Sequence, residues 1–333
     1  MQRAPSMTWS GRAPRRAGLV SALLGAVLAF GLGGCALFPP PQTQALLAEP
    51  PAGLPERREL RSVPFFPQTE FECGPAALAT ALGAAGVPTH PDALVEQVYL
   101  PARQGSLQLE MLATARRKGA LAVRLPAQLD SLLREVAAGH PVVVLQNLSL
   151  AIAPRWHYAV VVGYDLAARE LVLRSGTTER EILSLSTFEH TWERSGHWAF
   201  VALAPGELPA TASENEVTAA GVAFERVAPP QAARRVYESA LKRWPDNLTL
   251  AMGLGNTRVA AGDLPAATAA FEAAARRHDS TPAWINLAEL HLQQSHFTEA
   301  EAAARRAVAR SGVETNWRVA AEETLTRVLE AKR

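Results

Sequence analysis

One cysteine and one distant histidine are the residues of this 333-residue chain best suited to nucleophilic chemistry. Cys73 lies in the run Glu72 to Leu78, with Gln68 shortly before it, and His157 opens the apolar run that ends at Tyr164. A thiol attacks a carbonyl carbon when an imidazole takes its proton, and a nearby amide donor stabilises the resulting oxyanion. The pattern predicts acyl-transfer chemistry with Cys73 as nucleophile, His157 as base and Gln68 as oxyanion donor.

Other roles for these residues stay open. A lone cysteine is more often a buried small apolar residue, and a lone histidine before an apolar strand is more often structural. His197 also opens an apolar strand and therefore competes with His157 as the base. His90 and His140 lie beside prolines, so we expect both to be solvated loop residues.

Helices are expected to position the thiol. Pro75 is compatible with a first helical turn and Gly86 with a helix end, which places Cys73 at a helix N-terminus. The helix dipole and the free N–H groups there favour a thiolate. Further helices are predicted at 92–100, 107–118 and 129–138, and a capping box at Ser186 to Glu189 predicts one more.

Strands follow and are expected to carry the histidine. Runs of β-branched and aromatic residues predict strands at 120–125, 142–146, 157–164, 170–174 and 198–202. The first domain is thus α+β, with the nucleophile on a leading helix and the base on a later sheet.

The blocks around Gln68, Cys73 and His157 resemble those of the C39 family of cysteine peptidases. The resemblance covers about 140 residues and implies a papain-like fold over 61–204, with the three residues in the roles given above. The family's Asp, which orients the histidine, has no match here, and Ser175 stands at the corresponding position. Asp165 is a second candidate for that role, and the spacing from Gln68 to Cys73 is one residue short of common family members.

The N-terminus is typical of an exported lipoprotein. Residues 1–34 form a predicted signal peptide, and Leu32-Gly33-Gly34-Cys35 matches the bacterial lipobox, which implies lipidation of Cys35. Ala36 implies the outer membrane, facing the periplasm, and a Pro-rich extended tether is expected over 35–60. The alternative is an uncleaved membrane anchor, for which the apolar run is short.

The C-terminal part of the chain repeats. A turn-rich linker at 205–216 precedes an Ala-, Glu- and Arg-rich region, where small and aromatic residues recur every 33 or 34 positions. This spacing resembles tetratricopeptide repeats and implies an all-α domain over 217–333, with a capping helix at Glu314 to Lys332. The resemblance implies a protein partner, and a purely stabilising role is the alternative.

Other classes of function lack support. The formal net charge is +1, so no nucleic-acid partner is expected, and neither a nucleotide-binding loop nor a metal motif is present. No cofactor is therefore predicted. Two hypotheses remain: a lipid-anchored thiol peptidase acting on a peptide or protein substrate, or a catalytically idle fold of the same kind that serves as a scaffold in the cell envelope.

Overall fold

The computed structural model describes residues 39–68, 72–103 and 105–333. The predicted signal peptide and Cys35 lie outside the described residues. Within these ranges, no helix is long and apolar enough to cross a membrane.

The chain folds, as predicted, into an α+β domain followed by an all-α domain. Its helices are α1 Pro41–Ala48, α2 Cys73–Ala84, α3 Asp92–Val98, α4 Gln108–Arg117, α5 Leu129–Ala138, α6 Leu185–Glu193, α7 Glu214–Glu225, α8 Pro230–Arg243, α9 Leu248–Ala260, α10 Leu264–His278, α11 Thr281–Gln293, α12 Phe297–Arg310 and α13 Arg318–Ala331. Its strands are β1 Arg57–Glu59, β2 Tyr99–Leu100, β3 Gly105–Ser106, β4 Leu121–Arg124, β5 Val142–Asn147, β6 Trp156–Asp165, β7 Glu170–Ser175, β8 Thr178–Ser184 and β9 Ala199–Leu203.

An antiparallel sheet forms the centre of the first domain. Its order is β4-β9-β5-β6-β7-β8, and β1 pairs with the far half of β6, from Asp165 to Gly163. The central strand β6 is buried from Tyr158 to Tyr164, so its two ends are where polar groups reach the surface. Strands β2 and β3 form a separate two-stranded sheet.

Helix α2 packs on the central strand. Residues 74–82 are all buried, because the helix is enclosed by the sheet on one side and by α3 and α4 on another. Small side chains allow this close packing: a Cβ on Gly74 would lie 2.1 Å from Ser106 Oγ. The nucleophile candidate is thereby fixed between β6 and β3.

The expected extended tether is wrong for the residues that the structure describes. Residues 41–48 form α1, which docks on the first domain. The buried carboxylate of Glu189 accepts the backbone N–H groups of Gln42 at 2.8 Å and Thr43 at 2.5 Å, and so caps α1. The Gln42 side chain in turn accepts from the N–H of Leu129, the first residue of α5.

The predicted capping box of α6 is also displaced. The helix begins one residue before Ser186, and Ser184 accepts the N–H of Thr187 at 3.1 Å. Glu189 is absent from this cap because its carboxylate holds α1.

The repeats consist of antiparallel helix pairs, α7/α8, α9/α10 and α11/α12, followed by α13. Glycines in α9 let the pairs approach: a Cβ on Gly253 would lie 2.3 Å from the Tyr237 ring, and one on Gly255 would lie 2.4 Å from the Phe271 ring. The predicted capping helix begins at Arg318, four residues later than expected, because Thr315–Trp317 form a short 3₁₀ turn.

The first repeat shares the apolar core of the sheet domain, and the later repeats form a second buried cluster. Helix α7 packs on edge strand β4, and Val217, Ala220 and Phe224 join the buried cluster of the sheet domain. The linker is fixed as well, because buried Glu135 accepts the N–H groups of Ala210 and Thr211 at 3.1 and 2.7 Å. The repeats are therefore packed on the first domain.

Candidate functional site

The Cys73 thiol lies at the N-terminus of α2, against the start of β6. The backbone N–H groups of Tyr158, Gly74 and Cys73 itself favour the thiolate form of the sulfur. Burial nevertheless dominates and raises the pKa of Cys73 above its ordinary value, with these three donors opposing the rise. The expectation of a thiol pKa lowered by the helix terminus is wrong for this structure, because desolvation of the thiolate outweighs the N–H groups.

His157 immediately precedes Tyr158 on β6 and contacts Ser175. The distance from His157 Nε2 to Ser175 Oγ is 2.9 Å, which leaves Nδ1 as the ring nitrogen available to the thiol. Burial lowers the pKa of His157; the charge of Glu181 opposes this shift and that of Arg155 adds to it. Burial therefore favours the uncharged form of both the thiol and the imidazole.

Sheet register explains why His157 and Ser175 meet. Leu173 pairs with Val161 on β6 and with Glu181 on β8, so these three residues share one face of the sheet. Because side chains alternate along a strand, His157 and Ser175 lie on that same face. Glu181 is thus a carboxylate on the face of the candidate site, and among the described residues it has no ion-pair partner.

Asp165 does not lie near this site. It ends β6, opposite Arg57 and Glu170, and is eight residues from His157. At about 3.3 Å per residue, this separation is roughly 26 Å. The proposal that Asp165 orients the imidazole is therefore wrong, and Glu181 is the acidic residue whose charge reaches His157.

Gln68 lies at the same end of the sheet. Its backbone N–H donates to the carbonyl of Gly176 at 3.1 Å, directly after Ser175. Residues 69–71, which link it to the nucleophile, are outside the described part of the chain. Its role as oxyanion donor stays a prediction.

The other histidines have different surroundings. His197 packs edge-on against Trp192 with ring centroids 4.8 Å apart. His90 is exposed, as expected, and lies beside Asp92. The expectation for His140 is wrong, because its Nδ1 is 2.7 Å from the buried carboxylate of Glu135.

A cleft opens next to Ser106 and Tyr158, two neighbours of the N-terminal turn of α2. It has a volume of about 480 Å³, and the side chain of Tyr158 and the exposed ring of Trp156 form part of its wall. The remaining lining comes from Gly105, Ser106, Leu107, Gln108, Leu145, Arg194 and Ser195. These residues cannot be found from the sequence, because they come from four separate segments that only the fold brings together.

The described residues contain no cluster of three or more His, Cys, Asp or Glu side chains that could bind a metal ion.

Comparisons with known proteins agree on two domains. The sequence model of the Peptidase C39 like family matches residues 60–200, and a tetratricopeptide-repeat model matches residues 218–276 and 252–314. Among curated proteins, none matches the chain.

Several solved structures are similar to one domain each. A C39-like peptidase from Bacillus anthracis has 18% identity and a TM-score of 0.37, and the match covers 45% of this chain and 98% of that one. The peptidase domain of Streptococcus ComA, a bifunctional ABC transporter, has 20% identity and a TM-score of 0.36 over 42% of this chain and 98% of that one. The Yersinia enterocolitica chaperone SycD, in complex with a peptide of the translocator YopD, has 16% identity and a TM-score of 0.34 over 37% of this chain and 98% of that one.

The domain that carries Cys73 and His157 thus has a known family. Residues 60–200 form a domain of the Peptidase C39-like family, and residues 218–314 carry tetratricopeptide repeats.

Proposed function

We propose that this protein is a thiol peptidase in which Cys73 attacks the peptide carbonyl and His157 moves the proton. One observation carries the proposal: the thiol at the start of α2 lies near the backbone of Tyr158, and the Ser175-bound imidazole belongs to the adjacent His157, so both lie at the same end of β6. The family match at 60–200 supports a peptidase fold.

The neutral pair sets the order of events. As Cys73 Sγ bonds to the carbonyl carbon, the thiol proton passes to His157 Nδ1, and the oxyanion accepts N–H bonds from the Cys73 backbone and Gln68. The imidazolium then gives its proton to the departing amine, which leaves a thioester on Cys73. Water attacks the thioester with its proton passing to His157, and the acid product and the free thiol result.

Imidazolium needs stabilisation during this step, and two groups supply it. Ser175 Oγ accepts the Nε2–H bond and fixes the ring orientation, but it carries no charge. Glu181, on the same face, contributes negative charge and raises the pKa of His157 against the effect of burial. Together they take the part for which the family uses an Asp.

The repeats and the N-terminus give the peptidase its location and partners. Tetratricopeptide repeats bind peptides or proteins, and we infer that α7 to α13 recruit a protein substrate or an envelope complex. Lipidation of Cys35 would hold the protein at the outer membrane, facing the periplasm. A Cys35→Ala variant that incorporates a fatty-acid probe as well as the wild type would exclude this anchoring.

A catalytically idle scaffold is the second candidate function. The raised pKa of Cys73 and the absence of the family's Asp favour it. Labelling residues 36–333 with a thiol-directed peptide electrophile, with Cys73→Ser as control, separates the two functions. The peptidase predicts labelling of the wild type alone, whereas equally weak labelling of both proteins would favour the scaffold.

A further inference from the structure

An exposed apolar hairpin tip stands next to the cleft. Residues 148–155 join β5 to β6, and with Trp156, the first residue of β6, they form the tip; Leu148, Leu150, Ile152 and Trp156 are 44, 64, 91 and 50% exposed. Large apolar side chains are also exposed elsewhere among the described residues, for example Leu109 and Val313, but the tip places four of them within nine residues, which is a concentrated patch. Water-exposed leucine and isoleucine at a loop tip favour an apolar environment.

The charge of the tip has one sign. Between Leu148 and Trp156 the only ionisable residue is Arg155, and Arg194 donates to the carbonyls of Asn147 and Ser149 at the base of the hairpin, at 3.1 and 2.7 Å. The tip thus combines exposed leucines, an isoleucine and a tryptophan with two flanking arginines. This composition is typical of segments that insert into anionic lipid surfaces.

Helix α1, close to the N-terminus of the chain, lies near this tip. Glu189 of α6 holds α1, and Arg194, which directly follows α6, holds the hairpin base five residues later, about 8 Å along the helix axis. Cys35 precedes Pro40 by five residues, so a lipid on Cys35 lies within about 17 Å of the start of α1. An anchor at Cys35 and the tip are therefore able to reach one membrane.

We propose that the tip, residues 148–156, inserts into an anionic lipid surface and holds the mouth of the cleft against the membrane. Trp156 belongs to both the tip and the cleft wall, so insertion brings the cleft to the lipid boundary. The substrate then reaches Cys73 from the membrane surface. This last step rests on the proposed peptidase function, whereas lipid insertion does not.

Vesicle sedimentation tests insertion without requiring turnover. Residues 36–333 contain the whole described fold and lack the lipid, so any binding comes from the protein surface. We expect them to bind vesicles of phosphatidylethanolamine and phosphatidylglycerol, and Leu150→Asp with Ile152→Asp to weaken binding by about tenfold or more. The matched control is Val313→Asp with Val319→Asp, which are 75 and 68% exposed on the repeat domain. The control is expected to bind as the wild type does.

Three outcomes would overturn the proposal: a wild type that does not sediment with vesicles, tip and control variants with equal binding, or binding of the same strength to vesicles of neutral lipid alone. Cleavage of a soluble peptide without vesicles is a second measurement. The tip variant is expected to keep wild-type turnover there, and a selective loss would assign the tip to the peptide substrate instead. An inactive wild type would contradict the peptidase while leaving the vesicle result intact.

Discussion

Burial acts on both reacting residues, since it raises the pKa of the Cys73 thiol and lowers that of the His157 imidazole. Both shifts favour the uncharged forms, so the site differs from one that stores a thiolate–imidazolium pair. The backbone N–H groups near Sγ favour the thiolate, but burial outweighs them. The pH dependence of Cys73 reactivity and the pKa of His157 should both reflect this neutral resting state.

The pH dependence of alkylation tests the neutral thiol. We expect the rate of Cys73 with iodoacetamide to be slow near pH 6 and to rise with a midpoint above about 8.5, the ordinary thiol value. The reason is that burial disfavours the thiolate. Stopped-flow alkylation with Cys73→Ser as the blank measures this rate as a function of pH. A rate that has already reached its plateau near pH 6 would show a thiolate–imidazolium pair instead.

Glu181 is predicted to support the protonated imidazole. Glu181→Gln removes the charge that raises the pKa of His157, so this pKa should fall further below the wild-type value. Turnover should fall with it, because imidazolium forms during attack. Titration of the His157 ring proton by NMR measures the shift, and it requires no active enzyme.

The neighbouring Glu179→Gln serves as control. Glu179 is exposed, and its backbone carbonyl rather than its side chain bonds Arg174. Equal His157 pKa values in the wild type and Glu181→Gln would remove Glu181 from the site.

Elements with strong apolar patterns were predictable from the sequence, and elements defined by their partners were not. Strand β5 and helix α5 follow their predicted bounds within one residue, because burial of their apolar residues sets both position and type. Strand β8 carries Glu179, Arg180 and Glu181 on an exposed edge, and only pairing with β7 makes it a strand. Helix α1 is not predictable from its Pro-rich sequence, because the carboxylate that caps it comes from Glu189, far away in the chain.

The candidate site was likewise predictable only in part. The contact between His157 and Ser175 agrees with the alignment of the family blocks, whereas Glu181 and the cleft depend on register and on segments far apart in the chain.

Close packing between repeat helices should make Gly253 sensitive to substitution. Gly253→Ala places a Cβ 2.3 Å from the Tyr237 ring, and we expect a loss of about 1–3 kcal/mol in the free energy of unfolding. Gly221→Ala is the matched control, since its Cβ would lie at an ordinary 3.5 Å from the same ring. The better helix propensity of alanine should then stabilise it by up to about 1 kcal/mol. Urea unfolding that destabilises both variants alike would contradict this packing.

Across the whole molecule, Glu135 couples the sheet domain to the repeats. Burial alone would raise its pKa, but bonds from His140, Thr211 and Ala210 outweigh burial and hold the pKa of Glu135 below its usual value. Its ionised form therefore stabilises the native state above the unfolded carboxyl value of about 4.3, and this contribution is lost as the pH falls below it.

Glu135→Gln should loosen this coupling. We expect a loss of about 2–3 kcal/mol at neutral pH, since several hydrogen bonds to a charged group are weakened, and a flatter decline in stability on acidification. Thermal unfolding as a function of pH, with exposed Glu193→Gln as control, measures it. A variant as stable as the control would mean that the linker is held by other contacts.

The most direct test of the proposed peptidase is single-turnover acylation of residues 36–333 by a peptide ester, compared across two histidine variants. We predict that His157→Ala slows acylation of Cys73 by about 10²- to 10⁴-fold, while His197→Ala, checked for an intact thermal transition, acylates nearly as fast as the wild type. Loss of acylation in His197→Ala with His157→Ala unaffected, or a wild type no faster than Cys73→Ser, would contradict it.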